Sequence, residues 1–269
     1  MKIFVRILLA LALLVVLFYA GVFGYVYVNQ RALQYSPAGQ VTALADVALP
    51  GAREVAIPSG EGTITAWYEA PEAGKPLILY FKGNTGSFTA EYERFERWAG
   101  AGYGFLAFDY RGFPASPGEI SQDHILEDGL AAFDWAEAQG APVVLWGWSL
   151  GSGPATYTAS QREARALLLE APFLSAVTVA HERYPFLPVA LAMADRFPVN
   201  EWMAEVAEPV MLVHGTADTT IDVSNGERLY ALAPNKDNLW IVPGATHNNL
   251  WERGIWERAR PFFDRALSN

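Results

Sequence analysis

The sequence contains no cysteine and has a deficit of basic residues. Without thiols the chain can form no disulfide, no thiolate metal site and no cysteine nucleophile. Its 19 Lys and Arg are outnumbered by 29 Asp and Glu, which gives a net charge of -10. An acidic surface of this kind repels phosphate backbones, and we therefore expect no nucleic-acid partner. No histidine pair or carboxylate cluster has the spacing of metal ligands, so we expect no metal site.

Charge is also absent from the whole of Ile7–Val28. A helix of that length would span roughly 33 Å, the thickness of a bilayer core. A cleaved signal peptide would have a shorter apolar region, ~7–15 residues, followed by a small-residue cleavage site that is missing here. We therefore expect an uncleaved transmembrane signal anchor over residues 1–29. Because Lys2 and Arg6 precede the run, residues 30–269 are expected on the extracytoplasmic (periplasmic) side of the cell membrane.

Beyond the apolar run, strand-like and helix-like segments alternate. REVAIP and TITAWYEA are predicted to form two antiparallel strands, with the turn residues SGEG between them. The alternation that follows predicts an α/β domain with a mostly parallel sheet covered by helices on both faces. Strands are predicted at 76–82, 105–110, 143–148, 166–171, 209–215 and 238–244, of which the first three are expected to be buried. Helices are predicted at 91–100, 123–138, 224–232 and 250–267.

Residues 171–208 interrupt this alternation. The segment is too long for an ordinary connection, and Pro185, Pro188 and Pro198 divide it into short pieces. It is predicted to be a small helical cap inserted into a single domain that covers residues 30–269.

The stretch VVLWGWSLGSG places Ser149 directly after a buried strand and before a predicted helix. A serine hydroxyl on a sharp strand-to-helix turn is exposed at the carboxyl edge of the sheet, and the tight turn requires small residues two positions before and after it. Gly147 and Gly151 meet this requirement. Ser149 is therefore predicted to be a nucleophile, although a glycine-rich turn can also serve packing alone.

A serine nucleophile needs a base and an acid, which on such a site follow it in the chain order Ser, Asp or Glu, His. Of the four histidines, only His247 lies on a loop after the last strand, and His214 is more consistent with stabilising a turn. The acid should follow the preceding strand, where the chain offers Asp218 and Asp222. Asp218 is the preferred candidate, because Asp222 is placed to cap the next helix.

An oxyanion formed by attack on a carbonyl needs two backbone N–H donors. The residue after the nucleophile, Leu150, supplies one, and Asn84 in the loop KGNTG is predicted to supply the other. Phe88 and Trp148 flank this predicted hole and are candidate substrate contacts. Together with an aromatic and apolar cap, they favour an acyl chain or an aromatic acid over a charged peptide.

With these motifs the chain resembles the α/β-hydrolases. In particular, it is similar to a membrane-anchored branch that includes the bud-emergence (Bem-like) proteins and the protein depalmitoylases. This branch is related to the serine aminopeptidases. The similarity runs from residue 30 onward and is carried by QRALQYSP, FKGNTG, FDYRGFPASPG, GWSLGSG, LEAPFLS, HGTADTTIDV and GATHNN. It implies an α/β-hydrolase fold and cofactor-free hydrolysis of an ester, thioester or amide. It also implies Ser149 as nucleophile, Asp218 as acid and His247 as base.

The sequence departs from this family in one motif, because the oxyanion loop usually begins His-Gly-Asn and here begins with Lys82. The departure predicts altered electrostatics at the mouth of the site. Two alternatives to an esterase or thioesterase stay open. A serine aminopeptidase or amidase would need an acidic cluster in the cap, for which the available residues are Glu182, Asp195, Glu201 and Glu205. The second alternative is a non-catalytic, membrane-anchored scaffold that binds a lipid or a protein.

Overall fold

The N-terminal apolar run forms one continuous helix in the computed structural model, which describes residues 1–268. Helix α1 covers Lys2–Gln34 and is long and apolar enough to cross a membrane. It therefore continues beyond the predicted anchor boundary at residue 29, since no helix-breaking residue follows until Pro37. The chain becomes extended at Tyr35, as expected just ahead of a proline.

A single sheet of eight strands forms the centre of the domain within residues 1–268, in the order β1-β2-β4-β3-β5-β6-β7-β8. The first two strands form an antiparallel hairpin, β2 pairs antiparallel with β4, and every other pairing is parallel. The strands are β1 (Arg53–Ser59), β2 (Gly62–Glu69), β3 (Leu77–Phe81), β4 (Gly104–Phe108), β5 (Val143–Trp148), β6 (Leu167–Glu170), β7 (Val210–Gly215) and β8 (Lys236–Val242). The predicted mostly parallel sheet is confirmed.

Helices cover both faces of this sheet. The central strands β3 and β4 are buried along their whole length, and β5 is buried up to Gly147, because side chains on both of their faces contact helices. One apolar core lies beneath α2 (Tyr92–Ala99) and α9 (Ile255–Ala266). The opposite core lies beneath α3 (Gln122–Glu137), α4 (Ser152–Gln161) and α8 (Val223–Leu232).

The segment between β6 and β7 folds into short helices above the carboxyl edge of the sheet. They are α5 (Ala176–Arg183), α6 (Val189–Ala192) and α7 (Val199–Met203). Pro188 and Pro198 stand immediately before α6 and α7, where their fixed φ suits a helix start. Helix α6 also contacts α1, so this cap lies between the carboxyl edge of the sheet and the N-terminal helix.

Candidate active site

Ser149 lies on the sharp turn that joins β5 to α4. Its φ of 51° is positive, a conformation that costs a non-glycine residue roughly 1–3 kcal/mol and recurs at functional sites. The flanking glycines are required by close backbone contacts. A Cβ on Gly147 would lie 2.6 Å from the Gly151 carbonyl oxygen, and one on Gly151 would lie 2.0 Å from the Phe81 carbonyl oxygen. The turn thus fits only with small residues at these two positions.

His247 lies between Ser149 and Asp218 and is in hydrogen-bonding distance of both. Its Nε2 is 2.8 Å from Ser149 Oγ, and its Nδ1 is 2.7 Å from Asp218 Oδ2. All three side chains are buried. They come from three different loops at the carboxyl edge of the sheet, after β5, β7 and β8. The structure therefore brings together the serine, acid and base that the sequence singled out, in a geometry suited to proton transfer from the hydroxyl.

The carboxylate of Asp218 is held by four donors. Its Oδ1 accepts hydrogen bonds from the backbone N–H groups of Thr220 and Ile221 at 2.8 and 2.9 Å. Oδ2 faces His247 and, at 3.2 Å, Nε2 of His214. Burial alone would raise the pKa of this carboxyl, but the hydrogen bonds from the two histidines outweigh it and hold the pKa well below its usual range. Asp218 therefore stays ionised and can stabilise a protonated His247.

The other two candidates in this region have structural positions. Asp222 is exposed and caps α8, accepting a hydrogen bond from the Ser224 N–H at 2.9 Å. His214 is fully buried, and its Nε2 lies 2.9 Å from the Ile221 carbonyl oxygen as well as near Asp218. His214 thus fastens the loop that carries the acid, which agrees with the turn-stabilising role predicted for it.

Asn84 and Leu150 both line the cavity next to Ser149 and His247. Within residues 1–268, the Asn84 backbone amide donates no hydrogen bond. The Leu150 amide lies in the first turn after the nucleophile, where a backbone N–H has no acceptor within the helix. The Asn84 side chain donates from Nδ2 to the Gln34 carbonyl oxygen at 2.7 Å and so fixes the loop. Both residues thus lie beside Ser149, and their role as oxyanion donors stays a prediction.

The two aromatic residues proposed as substrate contacts have different surroundings. Trp148 lines the cavity, and its ring centroid lies 6.3 Å from that of His247. Phe88, in contrast, is fully buried and contacts Trp67 and Phe95 in the core beneath α2. Its assignment as a substrate contact is wrong, because the short helical turn Phe88–Glu91 directs the ring into the core.

Lys82 does not reach the mouth of the site. Its side chain is fully buried, with Nζ 2.9 Å from the Gly83 carbonyl oxygen and 3.9 Å from the centroid of the Phe113 ring. Burial lowers the pKa of this amine to about 8. Lys82 is not among the residues that line the cavity next to Ser149. It lies beneath the loop that carries Asn84, and its effect on the electrostatics of the mouth stays a prediction.

A cavity of about 720 Å³ leads away from Ser149 and His247. Its walls come from the cap, from the loops at the sheet edge and from α1, and they are mainly apolar. Among the described residues that line it there is no carboxylate, and the charged one is Arg183. The lining residues from the cap include Phe173, Ala176, Val179, Ala180, Tyr184, Leu187, Val189 and Met193.

Comparison with known proteins identifies the family of the chain. A family model, Hydrolase_4 (serine aminopeptidase, S33), matches residues 74–200. The chain is 32% identical over 243 residues to protein Rv2307c of Mycobacterium tuberculosis, covering 88% of this chain and 86% of that one. It is 31% identical over 198 residues to the lysophosphatidylserine lipase ABHD12 of Rattus norvegicus, covering 65% of this chain and 50% of the lipase. The chain belongs to the α/β-hydrolase family of serine hydrolases.

Solved α/β-hydrolase structures share the whole domain. The esterase Pf2001 of Pyrococcus furiosus superposes with a TM-score of 0.69 at 20% identity, covering 88% of this chain and 98% of the esterase. At this identity the likeness shows the fold alone. The fold class, the family and the enzyme class predicted from the sequence are therefore confirmed.

Sequence reasoning missed one wall of this α/β-hydrolase cavity. Helix α1 contributes to its lining with Val22, Tyr25, Val26, Gln30, Leu33 and Gln34. A membrane anchor already explains why these positions of α1 are apolar. The apolar run itself therefore gave no sign that α1 also lines a cavity. The available signal was the polar group Gln30, Arg31 and Gln34 directly after the run, because such side chains mark a helix end that meets protein rather than lipid.

Proposed function

We propose that this α/β-hydrolase is a membrane-anchored serine hydrolase that cleaves a carboxylic ester or thioester carrying an apolar acyl chain. The observation that carries the proposal is the position of His247, which is within hydrogen-bonding distance of Ser149 on one side and of Asp218 on the other. Ester hydrolysis is also consistent with the esterase and lipase named among the related proteins.

The reaction follows from this geometry. His247 Nε2 takes the proton of Ser149 Oγ as the oxygen attacks the acyl carbon, and Asp218 stabilises the resulting imidazolium. The oxyanion is stabilised by the backbone N–H groups of Asn84 and Leu150, each worth about 10²–10³ in rate. His247 then protonates the leaving alcohol or thiol. Water, deprotonated by the same histidine, releases the acid from the acyl-enzyme.

The cavity favours an ester over a peptide with a free N-terminus. An aminopeptidase must hold a cationic amine, and burial of such a charge requires a partner of opposite sign. Among the described cavity-lining residues there is no carboxylate. Of the cap acids, Glu182 accepts from the Asn225 side chain, and buried Asp195 accepts from Arg31 and Tyr35. They are thus already engaged in contacts within the protein.

Helix α1 is proposed to anchor the enzyme in the cell membrane. Lys2 and Arg6 at its start favour a cytoplasmic N-terminus, which places the catalytic domain on the extracytoplasmic side. A C-terminal fusion to alkaline phosphatase, which is active only outside the cytoplasm, should be active in cells. If a C-terminal fusion to green fluorescent protein were fluorescent and the phosphatase fusion inactive, the catalytic domain would lie in the cytoplasm and the proposed orientation would be wrong.

The nucleophile is tested by labelling the full chain in detergent with a fluorophosphonate probe. Wild type should be labelled, whereas Ser149→Ala should not be. Ser160→Ala is a matched control, because Ser160 lies on α4 with its hydroxyl bonded to the Tyr157 carbonyl oxygen, away from His247. It should be labelled like wild type. Failure of folded wild type to react would instead favour the non-catalytic scaffold.

A further inference from the structure

The cavity that begins at Ser149 has a wall that lies outside the hydrolase domain. Residues Val22, Tyr25, Val26 and Leu33 of α1 line it. Their spacings of three, four, seven and eight residues place them along one face of the helix. At 1.5 Å per residue, the lined stretch from Val22 to Leu33 is roughly 16 Å long. This face accompanies the cavity over a length suited to an extended acyl chain.

The helix is fastened to the domain at the end nearest the site. Arg31 Nε and Tyr35 Oη donate to the carboxylate of Asp195 in the cap, at 3.1 and 2.9 Å. On the other side, the Asn84 side chain donates to the Gln34 carbonyl oxygen at 2.7 Å. Because both the cap and the oxyanion loop hold its last turn, α1 is a fixed part of the cavity rather than a loose tether.

The opposite part of α1 is exposed from Lys2 to Gly21, although Tyr19 lines a small cavity together with cap residues. Its uncharged part, from Ile7 to Gly21, is roughly 22 Å long. A bilayer core of about 30 Å would therefore extend to the level of Val22 and the cavity-lining residues that follow it. The cap carries exposed apolar side chains at the same level. Phe186, 86% exposed, lines a small cavity together with Tyr19, and Leu191 in α6 is 78% exposed. If α1 spans the bilayer, Phe186 beside Tyr19 lies where the membrane meets the domain.

The opening of the cavity lies at this level as well. Tyr25 of α1 and Tyr184 of the cap both line it, and both are exposed. The cavity thus reaches the surface between α1 and α5. An aromatic residue with an apolar ring and a polar tip suits the boundary between lipid and water.

We propose that α1 forms the acyl-binding wall of the active site, and that the substrate is a membrane lipid whose acyl chain passes from the bilayer along Val22 and Val26 to Ser149. The inference rests on the proposed function, since it assumes that Ser149 attacks the ester. According to this inference, Val22 and Val26 determine which acyl chain lengths the enzyme accepts. The apolar edge of the cap holds the opening against the bilayer.

The test compares two substitutions in the full chain, reconstituted in phosphatidylcholine vesicles. Val26→Trp places an indole in the cavity. Val28→Trp is the matched control, because Val28 is two positions away, 79% exposed and outside the cavity lining. The readout is the ratio of kcat/KM for p-nitrophenyl laurate to that for p-nitrophenyl acetate.

The laurate-to-acetate ratio should fall by more than roughly tenfold in Val26→Trp, since each methylene excluded from an apolar site costs about fourfold. In Val28→Trp the ratio should match wild type. Equal ratios in the two variants would overturn the inference. Failure of the proposed function would give a different result. In that case Ser149→Ala would hydrolyse both esters as fast as wild type does.

A second measurement uses wild type alone and does not depend on the folding of a variant. A lauryl fluorophosphonate with a photoreactive diazirine at the chain end is allowed to react with Ser149 and is then illuminated. Cross-links in the peptide that contains Val22 and Val26 are expected. Cross-links confined to the cap or the sheet-edge loops would refute an acyl path along α1.

Discussion

Replacing Asp218 by asparagine should abolish catalysis through the tautomer of His247 rather than through loss of contact. Asp218 Oδ1 accepts two backbone N–H bonds, from Thr220 and Ile221. An amide NH₂ group at that position would face two donors and leave them unsatisfied. The asparagine oxygen should therefore occupy the Oδ1 position, with its NH₂ group facing His247 and His214. This arrangement costs less, because His247 can change its tautomer and His214 Nε2 still has the Ile221 carbonyl oxygen at 2.9 Å.

The consequence for His247 is a change in which nitrogen carries the proton. Facing an NH₂ donor at the 2.7 Å position of Asp218 Oδ2, Nδ1 becomes an acceptor, so Nε2 carries the hydrogen. A protonated Nε2 cannot take the proton of Ser149 Oγ. The same change in Ser-His-Asp proteases lowers kcat by about 10⁴, or about 5.4 kcal/mol of transition-state stabilisation. We expect a loss of that size here.

The assay is kcat for p-nitrophenyl butyrate in Asp218→Asn, with Asp222→Asn as the matched control. Asn caps a helix about as well as Asp, so Asp222→Asn should retain wild-type kcat. A kcat for Asp218→Asn within tenfold of wild type would refute the tautomer argument. If Asp222→Asn were the inactive variant, the acid would have to be reassigned to Asp222.

Two further predictions concern the support of the oxyanion hole. The pKa of buried Lys82 is about 8, below the ~10.4 of an unfolded chain, so the unfolded state binds more protons between these values and stability rises with pH. Measured by urea denaturation, the free energy of unfolding of wild type should rise by roughly 2 kcal/mol relative to that of Lys82→Met between about pH 7.5 and pH 10. If the unfolding free energies of the two proteins changed in parallel with pH, the prediction would be wrong. Gly151→Ala would set a Cβ 2.0 Å from a backbone oxygen, and should lose about 1–3 kcal/mol of stability and about 10²-fold in kcat as the Leu150 amide shifts. Gly153→Ala, whose Cβ meets only the rings of Phe197 and Phe173, should lose less of both.

The parts of this structure that the sequence predicts are those encoded by local patterns. A parallel strand that is buried on both faces needs a continuous apolar run. The runs VVLWGW and PVMLVHG fit this environment better than any other. The turn at Ser149 needs small neighbours, so Gly147 and Gly151 mark it in the sequence. Once the sheet is parallel, the loops after β5, β7 and β8 share one edge. Ser149, Asp218 and His247 are then brought close by topology alone.

The errors concern side chains whose direction no local pattern fixes. Phe88 lies four residues after Asn84, but a short helical turn between Phe88 and Glu91 directs it into the core. Lys82 stands between β3 and the loop, and its side chain turns inward to the Gly83 carbonyl oxygen and the Phe113 ring. The contact between Arg31 and Asp195 joins residues 164 apart in the chain, and charge alone could not select that pair among the acids of the cap.

The connection between α1 and the oxyanion loop joins two features that sequence patterns treat as separate. Asn84 supplies the proposed oxyanion donor from its backbone, and its side chain holds the Gln34 carbonyl at the end of α1. Ser36 also bonds to the same loop, through the Asn84 carbonyl oxygen and the Gly86 N–H. A donor must lie within a few tenths of an ångström of the developing charge to be effective. The Asn84 amide is therefore held by the end of α1 as well as by the hydrolase domain, so the two features act on one site.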